Sequence, residues 1–215
     1  MKRILSIIIF IIVLIMFTSC LSRQNNGNET EATEYMGTKL TPISEQGNNA
    51  IKGTQFIDKD TYRLRIDGMV ERPENFTYDQ IKNFTPVSKL VNLNCVEGWS
   101  FTAKWTGIPV KTLLDETGIK ENAATVIFYS VDGYSTSHDI NYLLDNNVIL
   151  AYKINDLTLP QDRGFPLQLV AEGKYGYKWA KWIDHIEVVN TSYKGYWESF
   201  GYNNKGDFGG PPFEQ

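Results

Sequence analysis

The chain has 215 residues, a formal net charge of −4 and two cysteines. A length of this order is typical of one domain with a sizeable core, and an acidic chain is poorly suited to binding nucleic acid, whose phosphates attract basic surfaces. The sequence contains no internal repeat and no block of like charge that would mark a second domain.

The N-terminal segment has the three-part pattern of a secretory signal. Two basic residues precede an apolar run over residues 4–17, and the small residue Ser19 precedes Cys20. The run is shorter than the roughly 20 residues that cross a bilayer as a helix. Residues 1–19 are therefore predicted to be a lipoprotein signal peptide, with Cys20 as the lipidated residue. A short membrane anchor with an unmodified Cys20 is the alternative, and both place the domain on the extracytoplasmic face of the cell membrane.

The segment that follows is polar, and its composition predicts a flexible tether over residues 20–55. The domain itself is then expected over residues 56–215. Its first strand is predicted where Tyr62, Leu64 and Ile66 alternate with charged residues, because this period-2 pattern is typical of a half-buried strand.

Local signals predict the next elements of the domain. Thr77 and Gln80 have the spacing of a capping box, which indicates a short helix after them. Residues 89–94 are predicted to form a strand that leads into Cys95. A helix is expected from Pro109 to Thr117, since proline favours its first turn and Gly118 follows its last residue.

The second half of the domain is predicted to consist mainly of strands. Ser137 is expected to cap a helix over residues 139–144, and Asn155-Asp156 is expected to form a turn. The predicted strands cover residues 125–130, 148–153, 167–171 and 182–189.

Cys95 is the main candidate for chemistry. If Cys20 carries lipid, Cys95 is a solitary thiol in an oxidising compartment, where it is either a small buried residue or a ligand. The sequence has no CxxCH, HExxH or GxSxG pattern, and no GxGxxG after a predicted strand. A zinc site from Cys95, His138 and His185 stays open, although scattered ligands carry little specificity.

Six motifs between Tyr62 and Tyr202 together resemble the molybdopterin-binding domain of the sulfite oxidase family. The resemblance is strongest to its haem-free bacterial branch, which includes the catalytic subunit of the periplasmic methionine sulfoxide reductase. The motifs are Tyr-x-Leu-x-Ile-x-Gly at 62–68, Asn-Cys-Val-Glu-Gly-Trp-Ser at 94–100, Trp-x-Gly-Ile-Pro at 105–109, Asp-Gly-Tyr at 132–134, Arg-Gly-Phe-Pro at 163–166 and the lysine-rich run at 174–182.

The resemblance implies molybdenum-molybdopterin as the cofactor. Cys95 matches the metal ligand of the family, a role that suits a soft thiolate donor. The other matched positions are implied to contact the cofactor, with the lysines near its anionic phosphate; they are Ser130, Arg163, Lys178, Trp179, Ala180 and Lys181. Tyr134 is a candidate catalytic residue on the substrate side, although a tyrosine after a glycine turn is as often a packing residue.

Two positions depart from the family pattern. Gln168 stands where the family commonly has a cofactor-binding arginine, which removes one fixed charge. The loop around Asn48 to Gly53 does not align with the asparagine-bearing cofactor loop of the methionine sulfoxide reductase branch.

The resemblance implies an α+β domain of the sulfite oxidase catalytic type, with mixed β-sheets and short peripheral helices. The implied reaction is oxygen-atom transfer at molybdenum to or from a small-molecule substrate. Because haem and flavin motifs are absent from the sequence, electrons are expected to pass to or from a separate partner, such as a membrane protein. The competing class is a cofactor-free binding lipoprotein that retains the fold, which Gln168 and the altered loop favour.

Overall fold

The computed structural model of the chain describes residues 29–214. The predicted signal peptide and Cys20 lie outside the described residues. Within residues 29–214, no helix has both the length and the apolar character needed to cross a membrane.

The prediction of a flexible tether up to residue 55 is wrong from Glu29 onward. The Glu29 carboxylate accepts hydrogen bonds from the Lys153 ammonium at 2.8 Å and from the Thr158 N–H at 2.6 Å. Strands β1 and β2 form a small hairpin of their own, and Leu40 directly after it is buried. The segment is held because its few polar side chains and Leu40 find partners on the domain, which composition alone does not reveal.

Twelve strands, three α-helices and four short 3-10 helices make up the regular structure of residues 29–214. The strands are β1 (Glu34–Tyr35), β2 (Thr38–Lys39), β3 (Arg63–Gly68), β4 (Glu74–Thr77), β5 (Val87–Asn94), β6 (Ser100–Pro109), β7 (Thr125–Ser130), β8 (Ser135–Asp139), β9 (Ile149–Ile154), β10 (Leu157–Thr158), β11 (Gln168–Val170) and β12 (Ile183–Val189). The helices are α1 (Tyr78–Asn83), α2 (Val110–Thr117) and α3 (Ile140–Asp145).

Two five-stranded sheets carry the domain. In the first, the order is β10-β9-β6-β5, and β11 also pairs with β9. In the second, the order is β4-β3-β12-β7-β8, where β12 runs parallel to β3 and antiparallel to β7. Mixed sheets with short helices confirm the predicted α+β class.

Local signals in the sequence located most helix ends. The capping box is present, since Gln80 N–H donates to the Thr77 hydroxyl and Thr77 N–H donates to the Gln80 side chain. Gly118 ends α2 at a φ of 72°, in the region that favours glycine. The cap predicted at Ser137 is wrong. Ser137 lies within β8, and the Asp139 carboxylate caps α3 by accepting from the backbone of Asn141.

Residues 164–183 connect the two sheets. After β11, the chain folds back beside that strand, so that Leu169 N–H donates to the Ala180 carbonyl at 2.9 Å and Ile183 N–H donates to the Leu167 carbonyl at 3.3 Å. The chain then continues directly into β12 of the second sheet. We call residues 179–183 the return arm; it lies between the sheets and carries Lys181.

The packing of the N-terminal segment leads to a stability prediction. Leu40 is 2% exposed and Met36, in the same hairpin region, is 79% exposed. Leu40→Ala is expected to lower the free energy of unfolding by about 2 to 4 kcal/mol, since a buried leucine loses its contacts and leaves a cavity. Met36→Ala serves as the control and is expected to change the free energy of unfolding by less than about 0.5 kcal/mol. Equal values for the two variants in denaturant unfolding would contradict the packing described here.

Candidate functional site

Cys95 lies in the turn between β5 and β6. Its N–H donates to the Trp99 carbonyl at 2.9 Å, and its carbonyl accepts from the Gly98 N–H at 3.1 Å. Gly98 has a φ of 92°, which suits a tight turn. A backbone bridge joins Asn94 to Tyr175, so the lysine-rich segment passes directly beside the thiol. The sheet thus places Cys95 where two of the predicted motifs meet.

The Cys95 thiol is half-buried, and burial raises its pKa above the ordinary value even though the Glu97 and Val96 N–H groups favour the thiolate. The side-chain nitrogen of Asn49 lies 4.0 Å from the sulfur. The free thiol is therefore protonated at neutral pH, and a bound metal would be needed to make it a thiolate ligand.

A cavity of about 480 Å³ opens beside Cys95. Its lining comes from five parts of the chain, within residues 47–51, 93–105, 132–134, 163–182 and 196–202. A volume of this size is typical of small-molecule and cofactor sites. The β5–β6 turn, the return arm and the N-terminal segment therefore converge on one pocket.

Two cations, Arg163 and Lys181, line the cavity. The guanidinium of Arg163 donates to the carbonyls of Ile43, Gln46 and Gly47, each at 2.9 Å. The Lys181 ammonium donates to the side-chain oxygen of Asn48 at 2.6 Å. Burial and the nearby positive charge of Arg163 lower the pKa of Lys181 to about 8. This end of the cavity is therefore electropositive and suited to an anionic group.

Acidic side chains lie at other parts of the lining. Asp132 is buried and accepts from the Tyr134 N–H at 3.0 Å. Glu97, two residues after Cys95, accepts from the Trp99 indole at 2.9 Å, and hydrogen bonds from Asn49 and Trp99 lower its pKa. Glu97 therefore stays ionised at neutral pH, and the cavity has both positive and negative walls.

The candidate Tyr134 also lines the cavity. Its hydroxyl donates to the Tyr177 carbonyl, and burial, followed by the nearby charge of Glu198, raises its pKa well above the ordinary value. This hydrogen bond ties Tyr134 to the lysine-rich segment. Its hydroxyl is thus a structural donor here, and its catalytic role stays a prediction.

The remaining predicted cofactor residues differ in placement. Trp179 lines the cavity beside Lys181, whereas Ala180 and Ser130 are buried just outside its lining. The Lys178 side chain points elsewhere: it is 0% exposed and pairs with Glu198 at 2.5 Å. The prediction that the Lys178 side chain holds the cofactor is therefore not supported, because its ammonium is already paired away from the cavity.

The histidines do not join Cys95. His138 Nε2 donates to the Lys178 carbonyl at 3.0 Å, and His185 lies 2.7 Å from the Asp67 carboxylate. Burial lowers the pKa of His138 well below its usual value, which keeps it neutral. Residues 29–214 contain no group of three or more potential ligands that could hold a metal ion. A zinc site built from Cys95, His138 and His185 is thus not formed.

Three buried polar atoms near the cavity make no hydrogen bond. Within residues 29–214 they are Trp105 Nε1, Ser130 Oγ and Arg163 Nε, the last of which lies 3.4 Å from the Asp162 carboxylate. Trp105 and Arg163 line the cavity, and Ser130 lies at the end of β7 next to it. A buried polar group without a partner is costly, by about 1–3 kcal/mol. The residues that line the cavity, a thiol at Cys95 and cations at Arg163 and Lys181, fit a group with a soft metal and an anionic part.

Sequence reasoning missed part of the site. Asn48 and Asn49 were placed in a tether, yet they contact Lys181 and approach Cys95. Tyr196, Trp197 and Tyr202 supply one wall of the cavity and were not singled out. The density of aromatic residues near the C-terminus was the available signal for this wall.

Comparison with known proteins agrees with this geometry. The family model described as "Oxidoreductase molybdopterin binding domain" matches residues 51–197. The chain belongs to this family. The match begins at Ile51 inside the segment predicted as a tether and includes the Cys95 turn and the return arm.

Individual relatives support the same assignment. The chain is 36% identical over 68% of its length to an Azospira oryzae protein bearing the name of a protein-methionine-sulfoxide reductase subunit, YedZ1, and spans 56% of that protein. It is 30% identical over 71% of its length to the uncharacterized oxidoreductase YuiH of Bacillus subtilis, of which it spans 77%. The sulfane dehydrogenase SoxCD of Paracoccus pantotrophus shares the fold, with a TM-score of 0.62 and 21% identity over 76% of this chain and 51% of that one.

The electropositive end of the cavity yields a prediction about cofactor retention. Lys181→Ala is expected to lower the pterin content of the purified protein about tenfold, because a charge-assisted bond to phosphate is lost. The control is Lys111→Ala, which removes only an exposed i,i+4 ion pair with Asp115. Fluorescence of the released, oxidised pterin measures the pterin content of both variants. Equal pterin content in the two variants would contradict the role of Lys181 in binding the cofactor.

The lowered pKa of Lys181 adds a pH dependence. A bound anion favours the ammonium form of Lys181. Retention of the cofactor is therefore expected to be constant below pH 8 and to fall as the pH rises above the Lys181 pKa of about 8. Lys181→Arg keeps its charge in this range and is expected to abolish the fall. A decline of the same steepness in the arginine variant would assign the effect to another group.

Proposed function

We propose that this protein is a molybdenum-pterin-dependent oxidoreductase that transfers an oxygen atom to or from a small substrate outside the membrane. The observation that carries the proposal is that the Cys95 thiol, Arg163 and Lys181 all line one cavity of about 480 Å³. A soft ligand and an anion-binding end in one cavity match the two ends of such a cofactor.

The residues that would hold the cofactor follow from this placement. Cys95 would be the metal ligand and Lys181 would bind the phosphate end, with Arg163 as the second cation of the lining. When bound, the cofactor supplies a metal centre that changes by two electrons during oxygen-atom transfer. Trp179 packs against Trp105 with ring centroids 5.8 Å apart, and both rings give the cavity an apolar part of its lining.

The substrate is proposed to be a sulfoxide. Support comes from the YedZ1 relative, whose name refers to protein-methionine-sulfoxide reductase. The charges agree, since Lys181 is assigned to the phosphate of the cofactor and the Arg163 guanidinium donates to three backbone carbonyls, which leaves Glu97 and Asp132 as the other charged residues of the lining. An uncharged oxygen donor therefore suits this site better than an oxyanion, which would also meet Glu97 and Asp132.

The location and the redox partner follow from the sequence. A lipid on Cys20 would hold the enzyme at the extracytoplasmic face of the membrane. The chain has no haem or flavin motif, so a separate electron-transfer partner, such as a membrane protein, is proposed to supply or accept electrons.

A cofactor-free binding lipoprotein is the second candidate. It is favoured by Gln168, which is buried and lines the cavity where the family commonly has an arginine. One fixed cation is thereby missing from the binding end. Retention of a polar cavity without metal would suit a protein that binds a small ligand instead.

Metal analysis distinguishes the two candidates. Protein purified from a host that makes and exports the cofactor is expected to hold about one molybdenum per chain, as one thiolate site allows. Cys95→Ser is expected to lose most of the metal and all activity, because a hydroxyl is a harder and far less acidic ligand. Metal-free wild-type protein would favour the binding lipoprotein, and a fully active serine variant would contradict the role of Cys95.

The export route gives a further prediction. Family members that load the cofactor before export travel folded, which requires a twin-arginine signal, and this chain offers only Lys2-Arg3. We expect this pair to serve as a relaxed signal. Blocking the folded-protein route should then remove loaded, lipid-anchored enzyme from the membrane fraction. Unchanged amounts of loaded enzyme there would mean that the cofactor is inserted after export.

A further inference from the structure

A buried ion pair lies behind the cavity. Lys178 and Glu198 are each 0% exposed, and their charged atoms are 2.5 Å apart. The Thr136 hydroxyl donates to the same Glu198 oxygen at 2.6 Å, and the Lys178 ammonium also donates to the Asn204 carbonyl at 2.9 Å. The pair thus joins β8, the lysine-rich segment and the C-terminal segment.

Such a pair is a poor source of stability. Removing two charges from water is costly, and apolar residues of similar size often hold a core as well or better. Burial lowers the pKa of Lys178, an effect that the charge of Glu198 opposes. The pair instead fixes the relative position of the two segments that carry it, because the Lys178 ammonium and the Glu198 carboxylate must stay within hydrogen-bond distance of each other.

The surrounding backbone is adapted to the pair. A Cβ on Gly206 would lie 2.5 Å from Lys178 Cγ, and one on Gly195 would lie 2.8 Å from the second Glu198 carboxylate oxygen. A larger residue at Gly206 would displace Lys178, whereas one at Gly195 would meet the β8 backbone first, at the Ser135 carbonyl oxygen, and Glu198 next. The two glycines therefore let the C-terminal segment pass close to both charges.

The ion pair is connected to the cavity on both sides. Lys178 follows Tyr177, and Glu198 follows Trp197; both aromatic residues line the cavity. The ring of Tyr202 lies 5.0 Å from that of Tyr177 and 5.3 Å from that of Trp197. The ion pair thus fixes the ring of Tyr177 relative to the rings of Trp197 and Tyr202.

We propose that Lys178 and Glu198 are positioning residues that hold this aromatic wall, formed by Tyr177, Trp197 and Tyr202, as the specificity-determining surface for the apolar body of the substrate. This inference rests on the proposed function. The ring faces recognise an apolar or sulfur-bearing group.

The test compares two sulfoxides on the loaded enzyme. Methyl phenyl sulfoxide can pack against the wall, whereas dimethyl sulfoxide lacks a large apolar group. Each is reduced to its thioether and one water by two electrons, which two molecules of a reduced viologen dye supply, and two protons, which the buffer supplies. The ratio of the two kcat/KM values is independent of the fraction of loaded enzyme, so a general loss of cofactor does not change it.

Three variants change the pair, namely Lys178→Met, Glu198→Gln and the combined variant. Each single change leaves one buried charge without its partner, and the kcat/KM ratio is expected to fall about tenfold. The combined variant leaves no unpaired charge and is expected to recover most of the ratio. Amide hydrogen exchange in residues 195–203, measured without substrate or turnover, should quicken at least about tenfold in the single variants and recover in the combined one.

A second pair of variants covers the case in which the single changes prevent folding. Tyr202→Leu removes one ring of the wall and leaves the ion pair intact, and it is expected to lower the ratio about tenfold. Phe56→Leu, at a position that is 83% exposed, is the control. Unchanged ratios in Tyr202→Leu would overturn the proposal even if the pair variants cannot be purified.

The outcomes separate this inference from the proposed function. Wild-type protein without molybdenum would refute the proposed function and the inference that rests on it. Loaded enzyme with an unchanged ratio in the single variants and in Tyr202→Leu would overturn the inference alone. Loss of pterin from Lys178→Met with normal hydrogen exchange would also overturn it, because Lys178 would then act on the cofactor.

Discussion

The hydrogen bonds between β11 and the return arm are the constraint on which the site depends. They hold the chain as it leaves the first sheet and direct it into β12 of the second. Lys181 and Trp179 lie on this arm. The bridge from Asn94 to Tyr175 brings the Cys95 turn beside the lysine-rich segment, which leads into the arm. Cys95 and Lys181 are therefore positioned by backbone contacts rather than by side chains alone.

Much of the fold could be predicted from the sequence because its signals are local. Alternation around Leu64 and Ile66, the Thr77 capping box and Gly118 after α2 each specify structure within a few residues. The failure at residues 29–55 has the opposite origin. Glu29 and Asn48 are held by partners more than 100 positions away, and a polar segment held in this way has the composition of a flexible one.

Which residues belong to the site could largely be predicted from the sequence, whereas where their side chains lie could be predicted less well. Cys95 and Lys181 were identified through motifs, and both line the cavity. Lys178 belongs to the same motif, yet its side chain faces Glu198, because residues in a tight turn point in different directions that spacing does not reveal. The aromatic wall could not be predicted either, since its rings come from segments brought together only by the tertiary fold.

The docking of Glu29 also limits how far the domain can move. Eight residues separate Cys20 from Glu29, and even a fully extended chain of that length reaches only roughly 30 Å. With the proposed lipid on Cys20, the attachment point of the domain would stay within that distance of the bilayer. A membrane-bound redox partner would then meet the enzyme at a high effective concentration, whereas large substrates far from the membrane surface would be out of its reach.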